Sequence, residues 1–317
     1  GPAAGRSTGR MCEIARPNVA ILTGINEAHL ERFGSLESTI KTKFEIVENA
    51  QPEALVILNE DSERVKQNYP QFSHGRKVKF YSSKMPPPSG GGKTTKSDFP
   101  SPGGRGEGEG VLPLLGEYAK GIINGAVIIA KELGLTDAEI LVGLKQIKPM
   151  PHRLQPIFNE ASNILVIDDS YSGNPDGARE AIKVLSRYKD RRKIYITPGL
   201  VEMGERTREV HLEIGRQLAE VVDIVILIKN SVTPWIGEGI SLSSSGDPDA
   251  KSGETRGSRF VLDSDRGLDS RFRGNDNIRT PEIYWFASTQ EAHTALSKIL
   301  KSGDVILFQN DWPENYV

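Results

Sequence analysis

Short apolar runs, each closed by a polar turn and most of them followed by an amphipathic stretch, recur along much of the chain. Val19-Ala20-Ile21-Leu22 is the first of them and reads as a buried strand. Ser35 reads as an N-cap, with Glu37 in the first turn where the helix dipole favours an acid. Leu36, Ile40, Phe44 and Val47 then recur at helical spacing and define an apolar stripe. Ala54 to Leu58 reads as another buried strand, ended by Asn59-Glu60-Asp61, and Val78 to Tyr81 as a third. After a strand-like start at Val111, the text predicts a helix with Ile122, Ala126, Ile129 and Leu133 near one face.

Beyond Met150-Pro151-His152, a natural boundary, strands and helices alternate regularly. Strands are expected at Ile164 to Ile167, Lys193 to Ile196, Asp223 to Ile228, Ile283 to Phe286 and Val305 to Phe308. Amphipathic helices fit Gly177 to Tyr188, Thr207 to Val221 and Thr289 to Leu300. Such alternation predicts an α/β architecture, a mostly parallel sheet with helices on both faces. Ligands of such sheets gather beyond the carboxyl ends of the strands. Asp168-Asp169-Ser170-Tyr171, Thr197-Pro198-Gly199 and Asn310-Asp311 fall at those ends. On residue type alone, the paired aspartates equally suit a helix cap or a solvated turn.

Two stretches break the pattern. About 84–110 is Pro, Gly and charge with almost nothing to bury, and about 241–280 is rich in Ser, Gly, Asp and Arg without any period. The first reads as a disordered insertion and the second as a surface insertion between two strands, and the boundary at Met150-Pro151-His152 divides the chain into domains over 1–149 and 150–317. Gly92-Lys93-Thr94 imitates the end of a phosphate loop, but Pro87 stands where the first glycine of G-x-x-x-x-G-K-[ST] is needed. No strand leads directly into it, so nothing would hold its N–H groups around a phosphate. The opening GPAAGRSTGR carries no methionine and no element signal, and reads as a cloning remnant or the cut edge of a longer chain.

Composition removes several classes. Among 317 residues, 40 Lys and Arg face 42 Asp and Glu, so no polybasic face argues for nucleic acid or a membrane surface. The Arg-rich text near DSRFRGNDN is offset by Asp263, Asp265, Asp269 and Asp276. One cysteine, Cys12, rules out an intramolecular disulfide framework and fits a reducing cytoplasm. No apolar run is long enough to span a bilayer and no signal peptide is visible.

Lys43 lies on or beside the stripe of the first helix, where a lysine ordinarily snorkels its ammonium to water. Desolvated, its amine would become a nucleophile. His29, alone after a strand, would ordinarily be a loop or capping residue. The surrounding string, MCEIARPNVAILTGI followed by TGINEAHLERFGSLESTIKTKFEI, closely resembles the central-domain signature of the Mur ligases, ATP-dependent peptide-bond formers of bacterial cell-wall synthesis. HRLQ, IDDSYSGNPDGAREAIKVL, KIYITPGLVEMGE and GDVILFQNDWPENY resemble the C-terminal domain of the family, in order. The resemblance covers nearly all of the chain outside its first ten residues and the insertions, and is greatest to the D-alanyl-D-alanine-adding branch.

The resemblance implies a partial ATP-binding central domain followed by a Rossmann-like C-terminal domain. It implies ATP and Mg2+ as cofactors, with magnesium on His29 and on a carbamylated Lys43. A carbamate would turn that amine into an oxygen ligand suited to a hard cation. Asn124 would contact adenine, Arg153 ATP phosphate and Asp169 the ribose, with Tyr171 against the nucleotide. Asn174 and Pro175 would shape the substrate cleft, and Asn310 and Asp311 would join the substrate-binding residues. His152, Ser172 and Gly177 depart from the glycine, asparagine and serine usual in the family.

The implied activity is that of a cytoplasmic bacterial ligase joining D-alanyl-D-alanine to a UDP-N-acetylmuramoyl-tripeptide. No phosphate loop and no upstream magnesium-binding glutamate of the family occur in the text, so these residues alone are expected not to turn over. The alternatives are another Mur-type ligase, a related folylpolyglutamate synthase, or a non-catalytic remnant that binds nucleotide or a partner.

Overall fold

The computed structural model describes residues 7–26, 33–85, 114–171, 173–244 and 280–310. Contacts divide the described residues into two units, up to Lys148 and from Pro149 onward.

The first unit is built on three parallel strands, β1 (Val19–Leu22), β2 (Leu55–Asn59) and β3 (Val78–Tyr81), in that order. Helix α1 (Ser7–Ala15) precedes β1, and α2 (Leu36–Glu48) and α3 (Glu63–Phe72) are the crossovers. The Ser35 hydroxyl caps α2 by accepting from Ser38 N–H at 3.1 Å. Phe44 and Val47 are buried with Leu22, Val56, Leu58 and Val65, and Leu36 and Ile40 pack on this cluster. Phe44 stacks on Phe72 of α3 with ring centroids 4.5 Å apart. Residues 7–10 of the opening segment, expected to have no element, belong to α1. That helix is held from outside: Cys12 is buried, and Gly9 N–H donates to Glu45 Oε2 of α2 at 2.8 Å. Its stability is tertiary, which is why its own text gives no signal.

Helices α4 (Glu117–Glu132) and α5 (Asp137–Lys145) complete this unit. Of the four residues expected on the apolar face of α4, Ile122, Ala126 and Leu133 are exposed, and Ile129 packs on the cluster of Leu55, Ile57 and Tyr81. The buried residues are Ala119, Gly121, Ile123, Asn124, Gly125 and Val127. The helix is apolar nearly all round, so periodicity could not choose a face. Gly121 and Gly125 decide it by admitting the Tyr81 ring.

The second unit is a six-stranded sheet in the order β4-β5-β9-β6-β7-β8. Its strands are β4 (Gln155–Asn159), β5 (Ile164–Asp169), β6 (Lys193–Thr197), β7 (Ile224–Ile228), β8 (Glu282–Phe286) and β9 (Val305–Gln309). All pairings are parallel except β4 with β5. Residues of β7 are buried along its whole length, as befits a strand covered on both faces. One face, including Ile194, Ile196, Ile226 and Ile306, packs on Ala292 and Ile299 of α9 (Thr289–Ile299). Helices α6 (Pro175–Leu185), α7 (Thr207–Val221) and α8 (Thr233–Ser244) complete the alternation.

Three details differ from the sequence expectation. Helix α6 begins two residues early, because Asn174 caps it and Pro175 takes the first helical position. Helix α8 runs to Ser244, into the stretch assigned to an insertion; 245–279 lie outside the described residues, as do 86–110. Strand β4 is an unforeseen edge, short, mostly exposed and carrying Pro156, which an edge tolerates. Among the described residues, no helix is long and apolar enough to cross a membrane.

Candidate functional site at the carboxyl end of the larger sheet

The strand order places the site. From β5 the chain skips a position to β6, continues through β7 and β8, and returns as β9 into the gap. The segments after β5, β9 and β6 are therefore neighbours at one end of the sheet, and the reversal of strand order makes a crevice there.

Asn310, directly after β9, ties these segments together. It is 3% exposed and adopts φ 53°, a left-handed conformation that asparagine tolerates better than most residues. Its N–H donates to the Asp169 carbonyl at 3.1 Å. Its side-chain Oδ1 accepts from Gly173 N–H at 2.9 Å, and its Nδ2 donates to the Gly199 carbonyl. Both ends of the Asn310 amide, expected from the resemblance to join the substrate-binding residues, are turned onto the backbone of the neighbouring loops.

The turn after β6 is fixed from three further sides. Thr197 Oγ1 accepts from Gly199 N–H at 2.9 Å, and Asn230 Nδ2 donates to the Pro198 carbonyl at 2.6 Å. His211, on α7, accepts at Nε2 from Leu200 N–H at 2.9 Å. Gly199 has φ 85°, and a Cβ there would press into Val232 and His211, so this turn needs glycine on both counts.

Around this frame lie three of the expected nucleotide residues. Asp169 ends β5, is 8% exposed, and accepts at Oδ1 from Leu154 N–H at 3.1 Å. Burial pushes its carboxyl up to about 7, against the lowering effects of the Leu154 hydrogen bond and the nearby Arg153 charge. The Arg153 guanidinium lies 4.5 Å from the centroid of the Tyr171 ring, a cation–π contact on a tyrosine that is 69% exposed. Beside them, Asp168 takes Ser170 N–H at 3.1 Å and Ser170 Oγ at 2.6 Å on one oxygen, and His152 Nδ1 at 2.7 Å on the other. His152 and Leu154 both have positive φ, 61° and 45°, so the segment carrying Arg153 into β4 is tightly bent. The arrangement offers a flat cationic–aromatic platform beside a recessed carboxyl, suited to a ring, a hydroxyl pair and an anion.

Asp169 links the site to stability. Its folded-state pKa lies above its ordinary value of 3.8, so between about pH 4 and 7 the folded chain holds a proton that the unfolded chain has released. Its contribution to stability is present at low pH and is lost as pH rises through 7. Asp169→Asn is expected to be more stable than wild type at pH 8, by about 2–4 kcal/mol, and close to it at pH 4. Urea unfolding at the two pH values reads the difference, and an equal difference at both would overturn the assignment.

Asn174 Oδ1 accepts from Gly177 N–H at 2.9 Å as the cap of α6, and Pro175 is buried at its first turn. In the first unit, Lys43 is exposed on α2, on the solvent side of the stripe. This is the ordinary place of a lysine beside an apolar stripe, and the buried face of the helix is carried by Thr39, Thr42, Phe44 and Val47. As an ammonium, Lys43 cannot ligate a cation; only a carbamate could. Asn124 is buried and donates to the Ser82 carbonyl at 2.8 Å, bracing the turn after β3. His29, Ser172 and Asp311 lie outside the described residues. No three His, Cys, Asp or Glu side chains converge as a cation site among the described residues.

Sequence reading overlooked His211, Asn230 and the Asp168–His152 pair. For His211 a signal existed: it shares the buried face of α7 with Ile214, Gly215 and Leu218, a polar residue on an apolar stripe.

Comparison with known proteins agrees with this picture. Residues 3–89 match the Mur ligase middle domain, and residues 152–309 match the Mur ligase, glutamate ligase domain. A UDP-N-acetylmuramoyl-tripeptide--D-alanyl-D-alanine ligase of Haemophilus influenzae is 30% identical over 237 residues, which are 72% of this chain and 50% of the relative. A UDP-N-acetylmuramoylalanine--D-glutamate ligase of Desulfitobacterium hafniense is 32% identical over 170 residues, 53% of this chain and 37% of the relative. The crystal structure of a MurF ligase from Thermotoga maritima in complex with ADP superposes with a TM-score of 0.66 at 22% identity, over 96% of this chain and 60% of that one. The chain spans about half the length, or less, of these curated relatives.

Proposed function

Because the chain belongs to the Mur ligase family, we propose that its larger sheet carries the nucleotide-facing surface of an ATP-dependent ligase that adds D-alanyl-D-alanine to a UDP-N-acetylmuramoyl-tripeptide. The observation that carries this reading is the platform of Arg153 on Tyr171 beside the recessed Asp169, at the crevice made by the return of β9.

ATP, when bound, supplies the phosphoryl group that converts the tripeptide carboxylate to an acyl phosphate, from which the incoming amine displaces phosphate. The chain's own residues do the holding. Tyr171 offers its face to the nucleotide, Arg153 its charge to phosphate, and ionised Asp169 accepts from ribose hydroxyls. Asn174 and Pro175 shape the wall next to them, and Asp311 belongs to the same segment as Asn310. In the first unit, Asn124 is the adenine-side residue, and His29 with a carbamylated Lys43 form the magnesium-binding pair. The domain assignment follows: a partial ATP-binding central domain over 1–149 and a family C-terminal domain over 150–317. Without a phosphate-loop pattern in the sequence, this chain is expected to bind nucleotide and not to turn it over.

Isothermal titration of the chain with ADP and magnesium salt tests the reading. Wild type is expected to bind, and Asp169→Ala to bind at least about tenfold more weakly, the value of one hydrogen bond to a charged group. Equal binding by both would remove Asp169 from the ribose, and no binding by wild type would remove the nucleotide reading. Phosphate release dependent on both the tripeptide and D-alanyl-D-alanine would overturn the expectation of no turnover. The resemblance to the D-glutamate ligase supports a second reading, a ligase with another acceptor. An assay offering D-glutamate in place of D-alanyl-D-alanine separates the two.

A further inference from the structure

We propose that His211 is a positioning residue for this crevice: as a neutral imidazole bridging the Thr207 carbonyl and Leu200 N–H, it sets the Gly199–Leu200 turn and, through Asn310, the backbone of Gly173. The inference deepens the nucleotide reading above and rests on it for its functional consequence alone.

His211 is 0% exposed, and only one tautomer satisfies its surroundings. Nε2 must accept from Leu200 N–H, so Nδ1 carries the proton and donates to the Thr207 carbonyl at 2.6 Å. Burial favours this neutral ring, holding its pKa below the ordinary histidine value. The ring is wedged between the Gly199 backbone, where a Cβ would lie 3.0 Å from Nε2, and Trp235 of α8, 6.2 Å between centroids. Charged neighbours on these elements pair with one another instead, Arg206 with Glu209 and Arg208 with Glu238.

From Leu200 the coupling runs by contact. The neighbouring Gly199 carbonyl takes the Asn310 amide, whose oxygen holds Gly173 N–H. The Leu200 side chain is buried against Gly173, closely enough that a Cβ on that glycine would displace its Cδ2 methyl. Gly173 lies between Tyr171 of the platform and Asn174 of the cap. A helix residue remote in sequence thus bears on Gly173, two positions from Tyr171.

Two variants separate positioning from mere packing. In His211→Asn the side-chain amide can reach the Nδ1 position and keep Thr207, but leaves Leu200 N–H without an acceptor. In His211→Gln the longer side chain can reach the Nε2 position and restore that acceptor. Amide hydrogen exchange on the whole chain is expected to be about tenfold faster at both Leu200 and Gly173 in His211→Asn, and close to wild type at both in His211→Gln. Faster exchange at Leu200 with Gly173 unchanged would overturn the proposal, as would equal exchange in the two variants. Should His211→Asn fail to fold, nitrogen NMR of the wild-type ring decides: a proton on Nδ1 supports the bridge and a proton on Nε2 sinks it. Titration with ADP supplies the functional arm, with about tenfold weaker binding expected for His211→Asn and recovery in His211→Gln. If wild type binds no ADP, the nucleotide reading fails while the exchange result still decides the role of His211.

Discussion

Asn310→Ala is expected to lower the unfolding free energy by about 3–5 kcal/mol and to abolish measurable ADP binding. The truncation removes the acceptor of Gly173 N–H and the donor to the Gly199 carbonyl, in a region where Asn310 itself is 3% exposed. A buried polar group left unpaired costs about 1–3 kcal/mol, and two are stranded here. Alanine also tolerates the backbone at φ 53° less well than asparagine, adding about 1 kcal/mol. Asn310→Asp separates these contributions. It keeps the oxygen facing Gly173 but turns a carboxylate onto the Gly199 carbonyl, so the β6 turn should loosen while the β5 segment stays. Guanidinium unfolding and ADP titration check both variants. A loss below about 1 kcal/mol for Asn310→Ala would mean that water replaces the amide and that the loops are not interlocked through it.

Gly239→Ala should be as damaging to stability, about 3–5 kcal/mol or no folding at all, because it acts on backbone against backbone. Helices α7 and α8 cross so closely that a Cβ on Gly239 would overlap the Leu212 carbonyl oxygen, and one on Gly215 would overlap that of Ile236. The two positions meet: the Cβ of either would stand 2.9–3.1 Å from the Cα of the other. Side chains can rotate away from an added methyl, but a helix backbone can only translate, and overpacking of that kind exceeds the usual ~1–3 kcal/mol. Gly215→Ala should match Gly239→Ala within about 1 kcal/mol, and the double variant should cost less than the sum, since one shift of the helices relieves both clashes. Thermal unfolding reads all three. Because α7 carries His211, the shift should also speed exchange at Leu200. A stable Gly239→Ala chain with unaltered Leu200 exchange would show that the helix crossing and the crevice are independent.

What the sequence by itself determined is the alternation. Each of β5, β6, β7, β8 and β9 is a short run dominated by aliphatic and aromatic residues, and α7 spans Thr207–Val221 as periodicity predicts. Those signals are local, written within a few residues, and they carry the fold class and the family resemblance with them. The places of Asp169 and Tyr171 at the end of β5 were also legible, because a residue at or after a strand's carboxyl end lies at the ligand-bearing edge, whereas Arg153 was singled out by the family resemblance alone. The tertiary structure decided what local signals cannot hold. Which face of α4 is buried depends on Tyr81, a residue of another strand, fitting Gly121 and Gly125. Whether Lys43 is desolvated depends on what packs beside α2, and on the solvent side nothing described does. Asn310 and His211 show the limit most clearly: asparagine and histidine bind ligands or brace backbones with the same atoms. The choice is made only when Gly173, Gly199, Leu200 and Thr207, 11 to 137 residues apart from their partners except within α7, arrive as hydrogen-bond partners.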